Sequence, residues 1–185
     1  MGMAIETKRV ILRPWEENDV EDLFACAKDP EIGPVCGWKP HRSRGESREI
    51  LHRVLMVPEN YAIVEKESGR VIGSAGLHSY NNSNIRGLQP GDMELGSWLG
   101  RPYWGKGYAT EAGAALLRRA FVHLGAACVW AVAFEEHRRS HRVQEKLGFK
   151  YCFSEFSSRG LAPCDGIMQH VRCLDRVDYN SSKNR

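Results

Sequence analysis

Residues 94–112, ELGSWLGRPYWGKGYATEA, constrain what this chain can fold into more than any other stretch. Residues 94–99 are short and mostly apolar and read as a buried strand, which Gly100, Arg101 and Pro102 interrupt. Gly105 and Gly107 then flank Lys106 in a tight loop, and Thr110 and Glu111 open a run with helical apolar spacing. Strand, glycine loop and helix N-terminus make an anion-binding succession: first-turn amides have no internal partners, and the helix dipole adds partial positive charge. Two glycines let the backbone curl closely around a phosphate. The loop lacks the Gly-x-x-x-x-Gly-Lys-Ser/Thr spacing of a Walker loop. It also lacks the third glycine of a dinucleotide fingerprint, where Thr110 stands, so neither ATP nor NAD is the obvious ligand. On this loop alone an ordinary turn stays open, since most Gly-x-Gly pairs are turns.

The spacing elsewhere predicts an α/β domain with the element order β-α-α-β-β-β-α-β-α-β-β. Residues 10–12 form the first strand, and Asn18-Asp-Val-Glu21 opens a helix as a capping box, running to Ala27. Residues 31–46, rich in glycine, proline and charge, read as a loop that walls a substrate site or merely connects. A helix over 47–56 precedes strands at 61–64 and 71–77, then a polar, turn-rich loop at 79–91. Ala112, Leu116, Ala120 and Leu124 recur every fourth residue on the long central helix, which Gly125 ends. The strand at 126–134 runs parallel to the central one if that helix is a right-handed crossover. A helix over 140–147, stopped by Gly148, and strands at 151–153 and 167–174 complete the set, leaving 180–185 as a polar, frayed tail. One domain spanning 1–185, with its core at about 5–178, accommodates all of this.

Composition narrows the function. A net charge of +3 and a pI of about 8.5 are too mild for a nucleic-acid binder. No apolar run approaches a membrane span, and the N-terminus lacks a secretory signal, so the expected location is cytoplasmic. Six cysteines without Cys-x-x-Cys pairs and seven histidines without zinc spacing imply reduced thiols and no metal.

The segments TKRVILRPW, VIGSAGL, ELGSWL, YWGKGYATEA and EKLGF, in this order, resemble the GNAT superfamily of acetyl-CoA-dependent N-acetyltransferases, and within it the RimJ/RimL-like branch. The resemblance implies a mixed seven-stranded twisted sheet with helices on both faces, whose central parallel pair is splayed to hold the pantetheine arm. It implies that Trp104, Gly105, Lys106, Gly107, Tyr108, Ala109 and Thr110 form the coenzyme A loop, with backbone amides on the pyrophosphate and the Thr110 hydroxyl beside it. Backbone amides near Trp98 and Leu99 would polarise the thioester carbonyl. Two positions depart from the family pattern. Pro102 replaces a polar residue, with Arg101 beside it as a substitute, and His137 replaces the Asn of Asn-x-x-Ser that bonds the pantetheine arm, so that His137 either still faces coenzyme A with the matching Ser140 or points outward.

Acetyl transfer needs a neutral amine, a polarised carbonyl and a stabilised thiolate. Glu94, an acid at the start of the central strand, is the candidate base; the alternative is a structural ion pair. Ser140 is the candidate hydrogen-bond donor to the thiolate; the alternative is a helix N-cap. Tyr151 is a second candidate acid or a packing residue. Arg138, Arg142 and Lys146, four apart, form a basic stripe that meets the coenzyme's 3′-phosphate or only solvent. Trp38, His41, His78 and Tyr80 lie in or beside the loops expected to wall the acceptor site. The expected function is direct transfer from acetyl-CoA to a primary amine, a protein N-terminus or a small molecule, by a monomer or homodimer. The competing reading, kept open by Pro102 and His137, is an acyl-CoA-binding regulatory domain that has lost turnover.

Overall fold

Eight strands hydrogen-bond into one mixed sheet in the computed structural model, which describes residues 3–157 and 166–183. In chain order they are β1 (Ile5–Glu6), β2 (Val10–Pro14), β3 (Asn60–Glu65), β4 (Val71–Ser79), β5 (Met93–Leu99), β6 (Cys128–Phe134), β7 (Lys150–Phe156) and β8 (Met168–Asp175). Their spatial order is β1-β2-β3-β4-β5-β6-β8-β7. β5 and β6 are the parallel pair at its centre, and every other pairing is antiparallel. The eighth strand, beyond the seven expected, is β1, a two-residue edge strand too short to leave a periodic signal.

The two faces carry different helices. Helix α4 (Tyr108–Arg118) lies against Leu95 and Leu99 of β5 and Ile72 and Leu77 of β4, presenting Ala112, Leu116 and Leu117. On the other face α1 (Val20–Ala27) and α3 (Arg44–Ile50), with α2 (Gly33–Cys36) between them and a π-helical turn (Leu51–Leu55) continuing α3, bury Leu23, Ala27 and Leu51 against Ala62, Val64 and Val71. Helix α5 (Arg138–Lys146) packs beside α4, where Leu147 Cδ1 would lie 2.6 Å from a Cβ added at Gly113. Helix α6 (Arg176–Lys183) contradicts the expected frayed tail over 180–183. One aromatic anchors it: Tyr179 is buried and stacks on Phe121 at 4.6 Å. The loop at 79–91 is pinned down by Ile85 and Leu88, which pack on Val171, Trp130 and Phe153.

Three boundaries differ from expectation. The capping box lies two residues earlier, pairing Glu16 with Asp19, and Arg13 grips Asp19 through two bonds of 2.8 and 2.7 Å that fix the turn. Residues 31–46 are not all loop, since they hold α2 and the start of α3, capped by Ser43 Oγ accepting from Glu46 N at 3.1 Å. Helix α5 begins at Arg138 and not at Ser140.

Candidate active site

β5 and β6 are each seven residues long, yet they pair only at Met93↔Val129 and Glu94↔Trp130. Beyond Glu94 they part, and the opening leads into a cleft of about 680 Å³ between β5, β6 and the α1–α3 side of the sheet. Gly100 donates its amide to Ile72 O at 2.8 Å, toward β4. By the alternation of a strand, the amides of Trp98 and Gly96 also face β4, whereas those of Leu99 and Ser97 face the gap. Of the two amides expected at the thioester, therefore, Leu99's faces the opening and Trp98's does not. Trp98 contributes its indole to the cleft wall, edge-on to Trp38 at 5.7 Å. Gly73 permits the close β4–β5 contact behind it, since any Cβ there would lie 2.2 Å from Trp98 O.

The glycine loop follows at the open end. Gly105 and Gly107 take φ values of 74° and 85°, which L side chains rarely adopt, and Gly107 is the N-cap of α4. Gly105, Lys106 and Gly107 are exposed, and Ala109 and Thr110 are half-buried in the first turn. The side chain of Tyr108 turns away from the loop: it is buried and its hydroxyl donates to Glu65 Oε1 at 2.6 Å. Only its amide belongs to the anion-binding turn. Trp104 donates Nε1–H to Leu99 O at 2.8 Å, and its ring lies 4.3 Å beneath the Arg139 guanidinium, tying the loop to α5. Arg101 is engaged elsewhere, with Asp29 at 2.9 Å and Glu31 at 3.0 Å, so it does not stand in for the polar residue that Pro102 replaces.

Glu111, unremarked in the sequence beyond its place in the motif, holds this loop to the β1–β2 turn. Its Oε1 accepts from Thr7 Oγ1 at 2.6 Å and Arg9 N at 2.7 Å, and its Oε2 from Arg9 Nε at 2.7 Å. Arg9 in turn donates to Lys106 O at 2.8 Å and lies 4.5 Å over the Tyr108 ring. Burial pushes the Glu111 carboxyl up, but the bonds from Thr7 and Arg9 outweigh it and hold its pKa below the ordinary value. An acid in the first helical turn was the available signal.

Glu94 and Ser140 both line the cleft, one from each wall. Glu94 is 5% exposed and accepts from Ser83 Oγ at 2.7 Å. Ser140 is not the N-cap of α5, because the helix starts two residues before it and His137 occupies the cap without a side-chain bond. Ser140 Oγ accepts from Gln144 Nε2 at 3.3 Å. His137 also lines the cleft, and burial, reinforced by His141 and Arg139, holds its imidazole below the ordinary pKa and neutral near pH 7. Tyr151 is not brought to this site. It is 58% exposed on the edge strand β7, separated from β6 by β8, and its hydroxyl bonds Ser154 Oγ at 2.9 Å. Arg138, Arg142 and Lys146 are all exposed, and Arg139, outside the stripe, makes the contact to Trp104.

At the far end of the cleft stand Trp38, His41 and His78, while Tyr80 is exposed outside it. His41 is buried, with Nδ1 2.8 Å from Ser47 Oγ and a pKa lowered by burial, so it is a neutral hydrogen-bonding group. Phe134 and Val35 complete an apolar wall. Residues 35–39, part of the segment read as a loop, thus wall the site.

The chain belongs to the GNAT acetyltransferase family: residues 9–150 match the family model described as an acetyltransferase (GNAT) domain. It is 28% identical over 152 residues to the uncharacterized N-acetyltransferase p20 of Bacillus licheniformis, covering 80% of this chain and 82% of that one. A GNAT-family acetyltransferase from Bacillus anthracis superposes with a TM-score of 0.80 at 20% identity, over 94% of this chain and 98% of that one. The ribosomal-protein-S5-alanine acetyltransferase of Vibrio fischeri superposes with a TM-score of 0.73 at 16% identity, over 96% and 99% of the two chains. The protein is an acyltransferase of the N-acetyltransferase class, and acetyl-CoA is the co-substrate of its family.

Proposed function

We propose that this enzyme transfers the acetyl group of acetyl-CoA directly to a primary amine within a ternary complex, as a RimJ/RimL-like member of its family. The observation that carries this reading is the end of β5–β6 pairing after Glu94↔Trp130, with strand-edge amides facing the gap and the glycine loop at its mouth. A thioester arm fits there as an added strand, and the amides of Gly105–Ala109 suit its pyrophosphate. The pocket residues suit this group: the loop is exposed, and both loop glycines hold conformations that side chains disfavour.

The amine nitrogen attacks the thioester carbon, and the carbonyl electron pair moves onto oxygen, near the Leu99 amide. Such oriented donors are worth about 3 kcal/mol of barrier. Collapse breaks the C–S bond with its electron pair left on sulfur. Glu94 takes the proton shed by the nitrogen, directly or through one water, and Ser140 donates a hydrogen bond to the thiolate.

The acceptor end suits an amine beside an apolar group. Trp38, Trp98 and Phe134 wall it, and Glu46 and Glu94 are its carboxylates, with Lys39 as a cation on the same lining. A polyamine or aminoglycoside calls for more carboxylates than this. An α-amine with a pKa near 7.7–8.0 is partly neutral at pH 7 and leans lightly on the base.

The test is thiol release from acetyl-CoA across apolar monoamines, peptides with apolar N-terminal residues, spermidine and an aminoglycoside. Amine-dependent release with the highest kcat/KM for the apolar monoamines or peptides is the expected result. Release at the same rate without amine, or none with any amine, overturns the transfer reading; preference for spermidine overturns only the acceptor reading.

A further inference from the structure

Behind Ser140 lies a polar cluster that packing alone does not require. Gln144, 5% exposed, donates from Nε2 to Val132 O at 3.1 Å and to Ser140 Oγ at 3.3 Å, and its Oε1 accepts from Arg172 Nη1 at 3.1 Å. Arg172 stands on β8, opposite Ala131 of β6, with its side chain 13% exposed. The same Nη1 lies 2.6 Å from His141 Nδ1, and His141 Nε2 lies 3.1 Å from Glu135 O.

Every direction in this cluster follows from two facts of chemistry. A guanidinium only donates, and a carbonyl only accepts. Arg172 therefore forces Gln144 Oε1 to face it, which turns the Gln144 amide nitrogen toward Val132 O and Ser140. It likewise forces His141 Nδ1 to accept, so the His141 proton sits on Nε2 and is given to Glu135 O. Burial, together with Arg172 and His170 nearby, holds His141 below its ordinary pKa, against the raising effect of the Glu135 and Phe134 carbonyls, in keeping with that neutral form. The Gln144 contact is the hydrogen bond of Ser140 Oγ among the described residues. With one lone pair of Oγ occupied by the Gln144 N–H, the hydroxyl proton cannot point at Gln144 and is directed, with the second lone pair, to the side that lines the cleft.

We infer that Gln144, fixed by Arg172, is a positioning residue that turns the Ser140 hydroxyl proton toward the departing thiolate. This rests on the reading of Ser140 as the thiolate's partner. Sequence spacing places Gln144 four residues after Ser140 on α5, but only the fold brings Arg172, 28 residues further on, to set the amide's direction.

The test reverses the polarity. The carboxylate introduced by Gln144→Glu still accepts from Arg172 but offers Ser140 only an acceptor, so the hydroxyl proton turns inward. The expected result is the kcat loss of Ser140→Ala, roughly ten- to hundredfold for a hydrogen bond to a charged group, matched within about twofold. The KM for acetyl-CoA stays within twofold of the parent. In a Ser140→Ala background, Gln144→Glu lowers kcat no further. Gln144→Met, which keeps the volume and removes the donor, gives a smaller loss that also disappears in the Ser140→Ala background, and it serves if the Gln144→Glu variant does not fold. Parent-like kcat in Gln144→Glu, or an equal further loss in the Ser140→Ala background, overturns the inference. Parent-like kcat in Ser140→Ala itself overturns the underlying role of Ser140, a result distinguishable from both.

Discussion

Glu111→Ala is expected to loosen the glycine loop by cutting its tie to the β1–β2 turn. The carboxylate, 16% exposed as a side chain, accepts three bonds of 2.6–2.7 Å from Thr7 and Arg9. A hydrogen bond to a charged group is worth about 1.5–3 kcal/mol net, and alanine also leaves the Arg9 amide short of a partner. Arg9 itself is 41% exposed, so its ion pair is discounted for solvent and the two better-shielded bonds dominate, giving a loss of about 3 kcal/mol. At roughly 2–4 °C per kcal/mol for a chain of this size, Tm falls by about 6–12 °C. Glu111→Gln keeps one acceptor oxygen but sets an NH₂ against an arginine donor, for a loss of about 1 kcal/mol. The folded pKa of Glu111 lies below its unfolded value. Its contribution is therefore full above the unfolded pKa near 4.3 and is lost as pH falls through the lower folded value, so the parent–Gln gap closes in acid. Thermal and urea unfolding at pH 7 and pH 4 measure both effects. Because Arg9 also holds Lys106 O, acetyl-CoA affinity should weaken several-fold alongside. A Tm for Glu111→Ala within 2 °C of the parent at pH 7 would refute this reasoning.

Other outcomes follow from the same geometry. Gly107→Ala forces a side chain into φ 85° and sets a Cβ 3.4 Å from Arg9 Nη2, and should cost about 1–2 kcal/mol and abolish the stabilisation by acetyl-CoA; an undiminished acetyl-CoA shift would contradict it. Glu94→Gln should lower kcat about a hundredfold with little change in acetyl-CoA affinity, and parent-like kcat over a pH series would remove Glu94 as base. Trp38→Ala should raise the KM for apolar amines while leaving the KM for acetyl-CoA alone; an effect confined to acetyl-CoA would reassign that wall. His137 has a folded pKa below its unfolded value, so the unfolded chain binds the proton more readily and stability declines as pH falls below about 6.5. Because His41 and His141 are lowered in the same way, His137→Asn should reduce the slope of the stability profile between pH 7 and 5 without removing it, and an unchanged slope would show that His137 carries no such burden.

The strand, loop and helix over 94–112 were legible because local chemistry dictates them: glycines at positive φ, an interrupted strand and four-residue apolar spacing need no distant partner. The splay itself entered through family resemblance, since a strand's sequence does not say where its pairing stops. What the sequence hid was tertiary. Two residues of β1 carry no period, and α6 reads as a polar tail because one aromatic, Tyr179, holds it to the body. Ser140 looked like a cap because serine favours caps, whereas the chain had already entered the helix at Arg138. Tyr151 looked close to the chemistry in sequence, but β8 inserts between β6 and β7 and carries it to the sheet edge. The Gln144–Arg172 pair joins residues on different elements, and nothing local marks it.

Binding of acetyl-CoA in the gap between β5 and β6, with its pyrophosphate on the glycine loop, is read out residue by residue by amide hydrogen exchange with and without acetyl-CoA. Acetyl-CoA is expected to protect the amides of Ser97, Leu99 and residues 105–109 and to leave the edge strand β7 unchanged. Unaltered exchange at those positions in saturating acetyl-CoA, or protection centred on β7, would contradict it.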